Sequence, residues 1–262
     1  MHNEAKNNSL STIRADLAKL GVAPGSVVMV HAGVRSVGPV IGGVNTIIRA
    51  LLDTLGPAGT LVAYVDFEPF FEDGDYEIPV FDKRTAHAAR DHGILHETLR
   101  TWPGALRSDH PDAGVVALGP LAEWITRDHP FQYGYGPGSP FEKALTSDVQ
   151  VLMLGAPLDT VTLLHYAEHQ ARIPDKRIHT YRRLMPTPAG PQWLSFEEFD
   201  TADPVNAKFP SNCFERIVSD YLATGLGSQG TVGSALSVLL DGPSLVAFGI
   251  EWMEAFFGPR DS

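Results

Sequence analysis

The stretch "SVVMVHAGVRSVGPVIGGVNTIIRALLDTLGPAGTLVAYV" (residues 26–65) indicates the class of fold. It opens with an apolar run at 26–32 that is typical of a buried strand, and it ends with a second such run at 60–65. Between them, apolar residues at helical spacing over 45–56 predict a helix, which Gly56 and Pro57 end. A strand, a helix and a second strand in succession are the repeating unit of α/β proteins.

The rest of the chain continues this alternation until residue 178, where two β-rich runs joined by a proline-glycine turn predict a hairpin. The predicted elements are, in chain order, a helix at 93–101, a strand at 113–119, a helix at 120–127, a strand at 149–155, a helix over 162–177, hairpin strands at 178–186 and 192–199, a helix near 212–224, a strand at 244–250 and a terminal helix.

These elements predict an α/β fold with a single domain over residues 1–262. We expect a central mixed sheet flanked by helices on both faces, with the hairpin inserted. The irregular segment 66–91 is too long for a simple connection, and its length favours a functional loop.

The composition is typical of a globular protein, with 20 Lys and Arg, 31 Asp and Glu, and a net charge of −11. An acidic surface repels phosphate, which argues against a nucleic-acid partner and favours cationic ligands. The sequence contains no apolar run long enough for a membrane span and no apolar segment of the signal-peptide kind at its start. The single cysteine, Cys213, excludes an intramolecular disulfide. We therefore expect a cytoplasmic protein.

The stretch "TLLHYAEHQARIPDKR" (162–177) places Thr162, His165 and Glu168 three residues apart. On a helix these side chains share one face, where the carboxylate can orient the imidazole as a general base. A hydroxyl nearby can donate to an oxyanion. The alternative is a surface helix with incidental polar residues, which is our expectation for His169.

Two loops are candidate binding segments. The loop at 31–44 follows a strand, precedes a helix and contains four glycines, so its backbone can approach a phosphate-bearing cofactor or can form a structural turn. The segment "LRSDHP" (106–111) offers a serine and a histidine before a proline, and it is either a second phosphate contact or a turn.

Acidic residues concentrate at 68–77 and at 197–203. Together the two clusters could form one anionic pocket for an amine-rich ligand, or each could be a solvated face. Other patterns fail: His92, His96 and Glu97 do not form the zincin HExxH motif, and the sequence has no GxSxG elbow. Near 228–235 the chain misses by one residue the Q/R-x-x-G-x-G/A signature of the common acetyltransferase fold.

Several long motifs in order resemble the aminoglycoside 3-N-acetyltransferases, a family separate from that common fold. The resemblance runs from about residue 10 to residue 257. It is carried by "LGVAPGSVVMVHAGVRSVGPVIGG", "LGPAGTLVAYV", "LRSDHPDAGVVALGPLAEWI", "LGAPLDTVTLLHYAEHQARIPDKR", "EEFD" and "LVAFGIEWMEAFFG".

The resemblance implies acetyl-CoA as donor, the 3-amino group of a 2-deoxystreptamine aminoglycoside as acceptor, and no metal. It implies that His165 is the general base, that Glu168 orients it and that Thr162 stabilises the oxyanion. The residues expected to bind CoA are Arg35, Ser36, Val37, Gly38, Ser108 and His110. The residues expected to bind the acceptor are Asp66, Glu68, Glu198 and Asp200.

Three alternatives stay open at this point. The first is a CoA-dependent N-acetyltransferase of the same fold that acts on a different amine. The second is a metal-dependent hydrolase, with ligands drawn from His31, His110, His165 and Glu168. The third is a non-catalytic protein that binds the drug, whose function would survive His165→Ala.

Overall fold

The computed structural model describes residues 7–67, 79–201 and 204–258, which form nine strands and eight α-helices. The strands are β1 Val27–Ala32, β2 Thr60–Tyr64, β3 Leu106–Arg107, β4 Val115–Leu118, β5 Gln150–Leu154, β6 Ile178–Met185, β7 Gln192–Phe199, β8 Ser228–Val232 and β9 Ala235–Asp241. The helices are α1 Leu10–Leu20, α2 Gly43–Leu55, α3 Ile94–Arg100, α4 Ala122–Thr126, α5 Pro140–Leu145, α6 Leu164–Gln170, α7 Cys213–Ala223 and α8 Gly242–Phe256.

Seven strands form one mixed sheet in the order β3-β4-β2-β1-β5-β9-β8. The central pairs β1–β2 and β1–β5 are parallel, whereas β4 pairs with β2 and β9 pairs with β5 in antiparallel directions. Five of the six residues of β1 are buried, as its unbroken apolar sequence predicts for a strand covered on both faces.

Helices cover both faces of this sheet, because alternate residues of the central strands enter two separate cores. Met29 and Val151 point into a core shared with α5, α6, α7 and α8. Val28 and Leu152 point into a core shared with α1, α2 and α3. The predicted mixed sheet with helices on both faces is therefore confirmed.

The prediction of a strand at 244–250 is wrong, because this apolar run lies inside α8. The Asp241 side chain accepts a hydrogen bond from the Ser244 backbone N–H at 2.9 Å, and a proline stands in the first turn. Both are signals for the start of a helix, and they outweigh an apolar run whose periodicity does not distinguish a buried strand from a buried helix. Helix α6 is also shorter than predicted and ends at Gln170.

The predicted hairpin is present as a separate two-stranded sheet of β6 and β7. It is joined to the segment before α5 by a bridge between Gln132 and Glu197, and the Tyr133 N–H donates to the Glu197 carbonyl at 2.7 Å. Among the helices that the structure describes, none has the length and apolar character that crossing a bilayer requires.

Candidate active site

A cavity of about 380 Å³ lies at the carboxyl ends of the parallel strands. Its walls include His31 and Ala32 from the end of β1, Tyr64 from the end of β2, and Ala156 beyond β5. Because parallel strands all present their carboxyl ends at one edge, side chains distant in sequence meet there. This is the usual ligand position in open α/β sheets.

His165 and Glu168 form a hydrogen-bonded pair at this cavity. The Nδ1 atom of His165 lies 2.6 Å from Oε2 of Glu168, whose side chain is only 4% exposed. A carboxylate accepts, so Nδ1 carries a proton, and in the tautomer that this contact selects Nε2 is the basic atom. His165 lines the cavity, and within the described part of the chain no hydrogen bond occupies Nε2. The contact that the spacing predicts is therefore present.

Two aromatic rings hold the imidazole of His165 in place. The rings of Tyr135 and Phe214 each lie 4.8 Å from it, between centroids. Thr162 lines the same cavity but precedes α6, and its hydroxyl lies 3.4 Å from the Thr160 carbonyl. The hydroxyl is thus in the cavity that contains His165, although Thr162 is not on the helix as the sequence suggests.

The cavity wall also contains two buried histidines, His31 and His96. Burial, assisted by neighbouring imidazoles, lowers the pKa of His31 to about 3 and that of His96 to about 4. Both rings are therefore neutral at physiological pH. Among the described residues, Nε2 of His31 has no hydrogen-bond partner.

The glycine-rich loop after β1 contributes Gly33 to the lining of this cavity. A Cβ on Gly33 would stand 2.3 Å from the Gly155 carbonyl oxygen, so the loops after β1 and β5 approach too closely for any side chain there. Arg35 and Ser36 are exposed, whereas Val37 is buried and its carbonyl accepts the Ser234 N–H at 3.0 Å. The backbone at Gly38 has φ +80°, a conformation that favours glycine.

Ser108 and His110 lie in the protein interior. The Ser108 hydroxyl accepts the Val115 N–H at 3.0 Å and lies 3.0 Å from Nδ1 of His129. The His110 ring packs against the rings of His129 and Phe196. Neither side chain lines the cavity around His165. Ser108 and His110 are 0% and 1% exposed, and their contact with CoA stays a prediction.

A second cavity, of about 240 Å³, shares the wall residue Tyr64 with the first. Three of the four predicted acceptor-binding residues, Asp66, Glu198 and Asp200, line it. The fourth, Glu68, lies outside the described residues. The Asp66 and Asp200 side chains are each 29% exposed, and Asp200 is 3.3 Å from Arg177. The cavity is therefore lined by two partly exposed carboxylates, those of Asp66 and Asp200, and by one buried carboxylate, that of Glu198.

Glu198 has a different environment from the one that the acidic run suggested. It is buried, with one oxygen 2.7 Å from Nε2 of His169 and the other 3.3 Å from the Tyr135 N–H. The expectation that His169 is an incidental surface residue is wrong, because its side chain is only 6% exposed. This pair joins α6 to β7, and no sequence spacing could have revealed it.

A polar network that no sequence motif indicates lies between the two cavities. The hydroxyls of Tyr64 and Tyr135 lie 2.6 Å apart, and both donate to the Asp112 carbonyl. The Asp112 carboxylate accepts a hydrogen bond from Arg183 at 2.5 Å, while burial raises its pKa. These hydrogen bonds connect Tyr64, Tyr135, Asp112 and Arg183 where the two cavities adjoin.

The donors suggested for a metal-dependent hydrolase do not converge. His31 and His165 line one cavity, but His110 packs elsewhere and Glu168 lies behind His165. Ligand atoms of a different group, Asp66, Asp91 and His92, lie within 4.8 Å of one another. In that group Asp66 is already hydrogen-bonded to His92, and Asp91 is exposed.

Comparison with known proteins gives a consistent result. A family model described as aminoglycoside 3-N-acetyltransferase matches residues 29–254. An aminoglycoside N(3)-acetyltransferase III from Pseudomonas aeruginosa is 40% identical over 254 residues, which are 93% of this chain and 92% of the relative. An aminoglycoside N(3)-acetyltransferase IX from Micromonospora chalcea is 38% identical over 94% of this chain and 93% of its own length.

Solved structures agree with this result. AAC-IIIb in a binary complex with CoASH has a TM-score of 0.93 and 48% identity, and the match covers 98% of this chain and 100% of that chain. AAC-VIa bound to sisomicin has a TM-score of 0.88 and 36% identity, with 96% and 99% covered.

Proposed function

Because this chain belongs to the aminoglycoside 3-N-acetyltransferase family, we propose that it acetylates aminoglycosides and so confers resistance to them. It transfers the acetyl group of acetyl-CoA to the 3-amino group of a 2-deoxystreptamine ring. The observation that carries this proposal is the His165–Glu168 pair at a cavity adjoining a second, acidic one. The enzyme acts in the cytoplasm, where acetyl-CoA is available.

His165 is the general base of the proposed reaction. The neutral acceptor nitrogen attacks the thioester carbonyl carbon, a C–N bond forms, and Nε2 of His165 takes a proton from that nitrogen. Glu168, hydrogen-bonded to Nδ1, fixes the tautomer and stabilises the imidazolium that forms. When the C–S bond breaks, the imidazolium returns this proton to the departing CoA thiolate, so atoms and charges balance.

Thr162 stabilises the intermediate in this proposal. Its hydroxyl, which now faces the Thr160 carbonyl at 3.4 Å, turns to donate to the oxyanion that develops on the acetyl carbonyl. A single well-placed donor of this type contributes about 10²–10³-fold to the rate.

Transfer is direct, without an acyl-enzyme. Burial, with a further contribution from the Glu168 charge, raises the pKa of the Cys213 thiol to about 12. A protonated and buried thiol is a poor nucleophile. Since this is the only cysteine in the sequence, no reactive thiol is present to carry the acetyl group, which supports direct transfer from CoA to the amine in one complex.

The donor arm of acetyl-CoA lies along the loop after β1. Gly33, which lines the reaction cavity, leaves space for the arm, and the exposed Arg35, two residues further along, offers a guanidinium to phosphate. Ser36, Val37 and Gly38 supply the backbone that shapes this edge. These four residues, 35–38, form the proposed cofactor-binding segment.

The acceptor occupies both cavities. The reacting amine lies by His165, and other ammonium groups of the same molecule face the acidic cavity, where Asp66 and Asp200 are partly exposed. Charge-assisted hydrogen bonds to carboxylates are the strong kind, which favours acceptors with several amines. Glu198 acts indirectly, because its carboxylate holds the His169 imidazole by a hydrogen bond.

The test is release of the CoA thiol from acetyl-CoA with gentamicin or tobramycin, comparing the wild type with His165→Ala. We expect acceptor-dependent release by the wild type and a loss of about 10²–10⁴-fold in the variant, with acetyl-CoA binding retained. No release by the wild type with any aminoglycoside would contradict the proposed acceptor, and full activity of the variant would contradict the proposed base.

A further inference from the structure

One hydrogen-bonded pair spans the wall between the two cavities. Asp66 lines the acidic cavity and His92 lines the reaction cavity, and Nε2 of His92 is hydrogen-bonded directly to Oδ1 of Asp66. Neither residue is on the helix that carries the general base. In the proposed reaction Asp66 contacts the acceptor, whereas His92 has no role.

The backbone holds this pair in place from both sides. Asp66 follows the end of β2, and its carbonyl accepts the Ala89 N–H at 3.1 Å. His92 ends the short turn Arg90–His92 immediately before α3. Its ring meets the Tyr64 ring edge-on, with centroids 4.8 Å apart. The sheet edge and the turn before α3 therefore fix both side chains.

The hydrogen bond determines how the carboxylate is presented. Because Asp66 can only accept, Nε2 of His92 carries the proton and holds Oδ1. Within the part of the chain that the structure describes, Oδ2 of Asp66 has no hydrogen-bond partner. With the side chain 29% exposed at the acidic cavity, this oxygen is available to a cation there.

We propose that His92 is a positioning residue that sets acceptor specificity. It holds Asp66 so that the second carboxylate oxygen receives an ammonium group of the acceptor, next to the amine that reacts at His165. This inference rests on the proposed function and narrows the substrate class: the preferred acceptor carries a second ammonium group close to the acylated nitrogen.

The test is His92→Phe, which keeps a flat ring against Tyr64 and removes the N–H donor. We expect the KM for the aminoglycoside that the wild type acetylates to rise about tenfold, which corresponds to about 1.4 kcal/mol. The kcat and the KM for acetyl-CoA should stay within twofold of the wild type. His92→Gln, which retains an N–H donor, should restore most of the affinity for the acceptor.

Asp66→Asn provides a double-mutant cycle. If the two residues act as one unit, combining Asp66→Asn with His92→Phe should raise the acceptor KM no further than the worse single variant does. The matched control is His87→Phe. His87 forms a similar pair with Glu97 at 2.8 Å, but it is 82% exposed and lines neither cavity, so its loss should change nothing.

Three results would overturn the inference. The first is a fall in kcat with an unchanged acceptor KM in His92→Phe, and the second is additive effects in the cycle. The third is loss of wild-type activity in EDTA with recovery on adding zinc, which would make Asp66, Asp91 and His92 a metal site. Failure of the proposed function is distinguishable, because the wild type would then release no thiol with any aminoglycoside.

Discussion

Glu168→Gln tests whether the charge of the carboxylate, and not only its shape, assists catalysis. The glutamine side chain has nearly the same volume, and its amide oxygen can still accept the hydrogen bond from Nδ1 of His165, which is 2.6 Å long in the wild type. The tautomer and orientation of the ring are therefore preserved. What is lost is the negative charge that faces the imidazolium as it forms.

The expected loss follows from the burial of this pair. A hydrogen bond to a charged group contributes about 1.5–3 kcal/mol and a neutral one about 0.5–1.5 kcal/mol, so the difference is about 1–1.5 kcal/mol. At 1.36 kcal/mol per tenfold, kcat should fall by roughly 5–15-fold. Since the Glu168 side chain is only 4% exposed, solvent does little to screen this loss.

The assay is the rate of thiol release at saturating acetyl-CoA and aminoglycoside, with both KM values measured. Glu254→Gln is the control, because that carboxylate pairs with Arg172 at 3.0 Å on the surface, and the change should leave kcat within twofold of the wild type. A kcat unchanged in Glu168→Gln would refute the electrostatic part of the argument. A loss as large as that of His165→Ala would show instead that glutamine does not hold the ring.

Three further outcomes are expected. Gly33→Ala should lower the thermal midpoint by several degrees and raise the KM for acetyl-CoA, because its Cβ would stand 2.3 Å from the Gly155 carbonyl oxygen; an unchanged midpoint would contradict this packing. Cys213, with a pKa raised to about 12, should react with iodoacetamide at pH 8 about 10³-fold more slowly in the folded protein than in urea, as followed by mass spectrometry. The free energy of unfolding should fall as the pH drops from 6.5 toward 5, because the unfolded chain binds protons that the buried neutral histidines do not bind. The slope for each such histidine approaches about 1.4 kcal/mol per pH unit only well below pH 6.5. The histidines whose pKa is lowered by burial are His31, His96, His110 and His129. Urea unfolding at pH 7 and at pH 5.5 measures the effect, and equal stabilities at the two pH values would contradict it.

Local spacing predicted well the parts of the molecule that depend on local geometry. The His165–Glu168 contact follows from residues three apart on one helix, and the hairpin follows from two β-rich runs around a turn. The alternation of strand and helix likewise predicted the mixed sheet. In the first two cases the determining interaction joins residues close in sequence.

The contacts that sequence reasoning missed join residues far apart along the chain. Glu198 meets His169 across 29 residues, and Asp66 meets His92 across 26. The nearby Pro111 suggests that Ser108 lies in an exposed loop. Its hydroxyl instead accepts the Val115 N–H and contacts the His129 ring in the interior. Only the folded chain determines which polar groups find partners.

The hairpin of β6 and β7 stands apart from the seven-stranded sheet, yet it contributes His179, Tyr181, Arg183 and Glu198 to the acidic cavity. The residues proposed for the chemical step instead lie at the edge of the large sheet and on or just before α6. In the proposed scheme the hairpin therefore supplies part of the acceptor surface, while Glu198 links it to α6 through His169. Under this proposal, substitutions at His179, Tyr181 or Arg183 would alter the wall of the acidic cavity without touching His165 or Glu168.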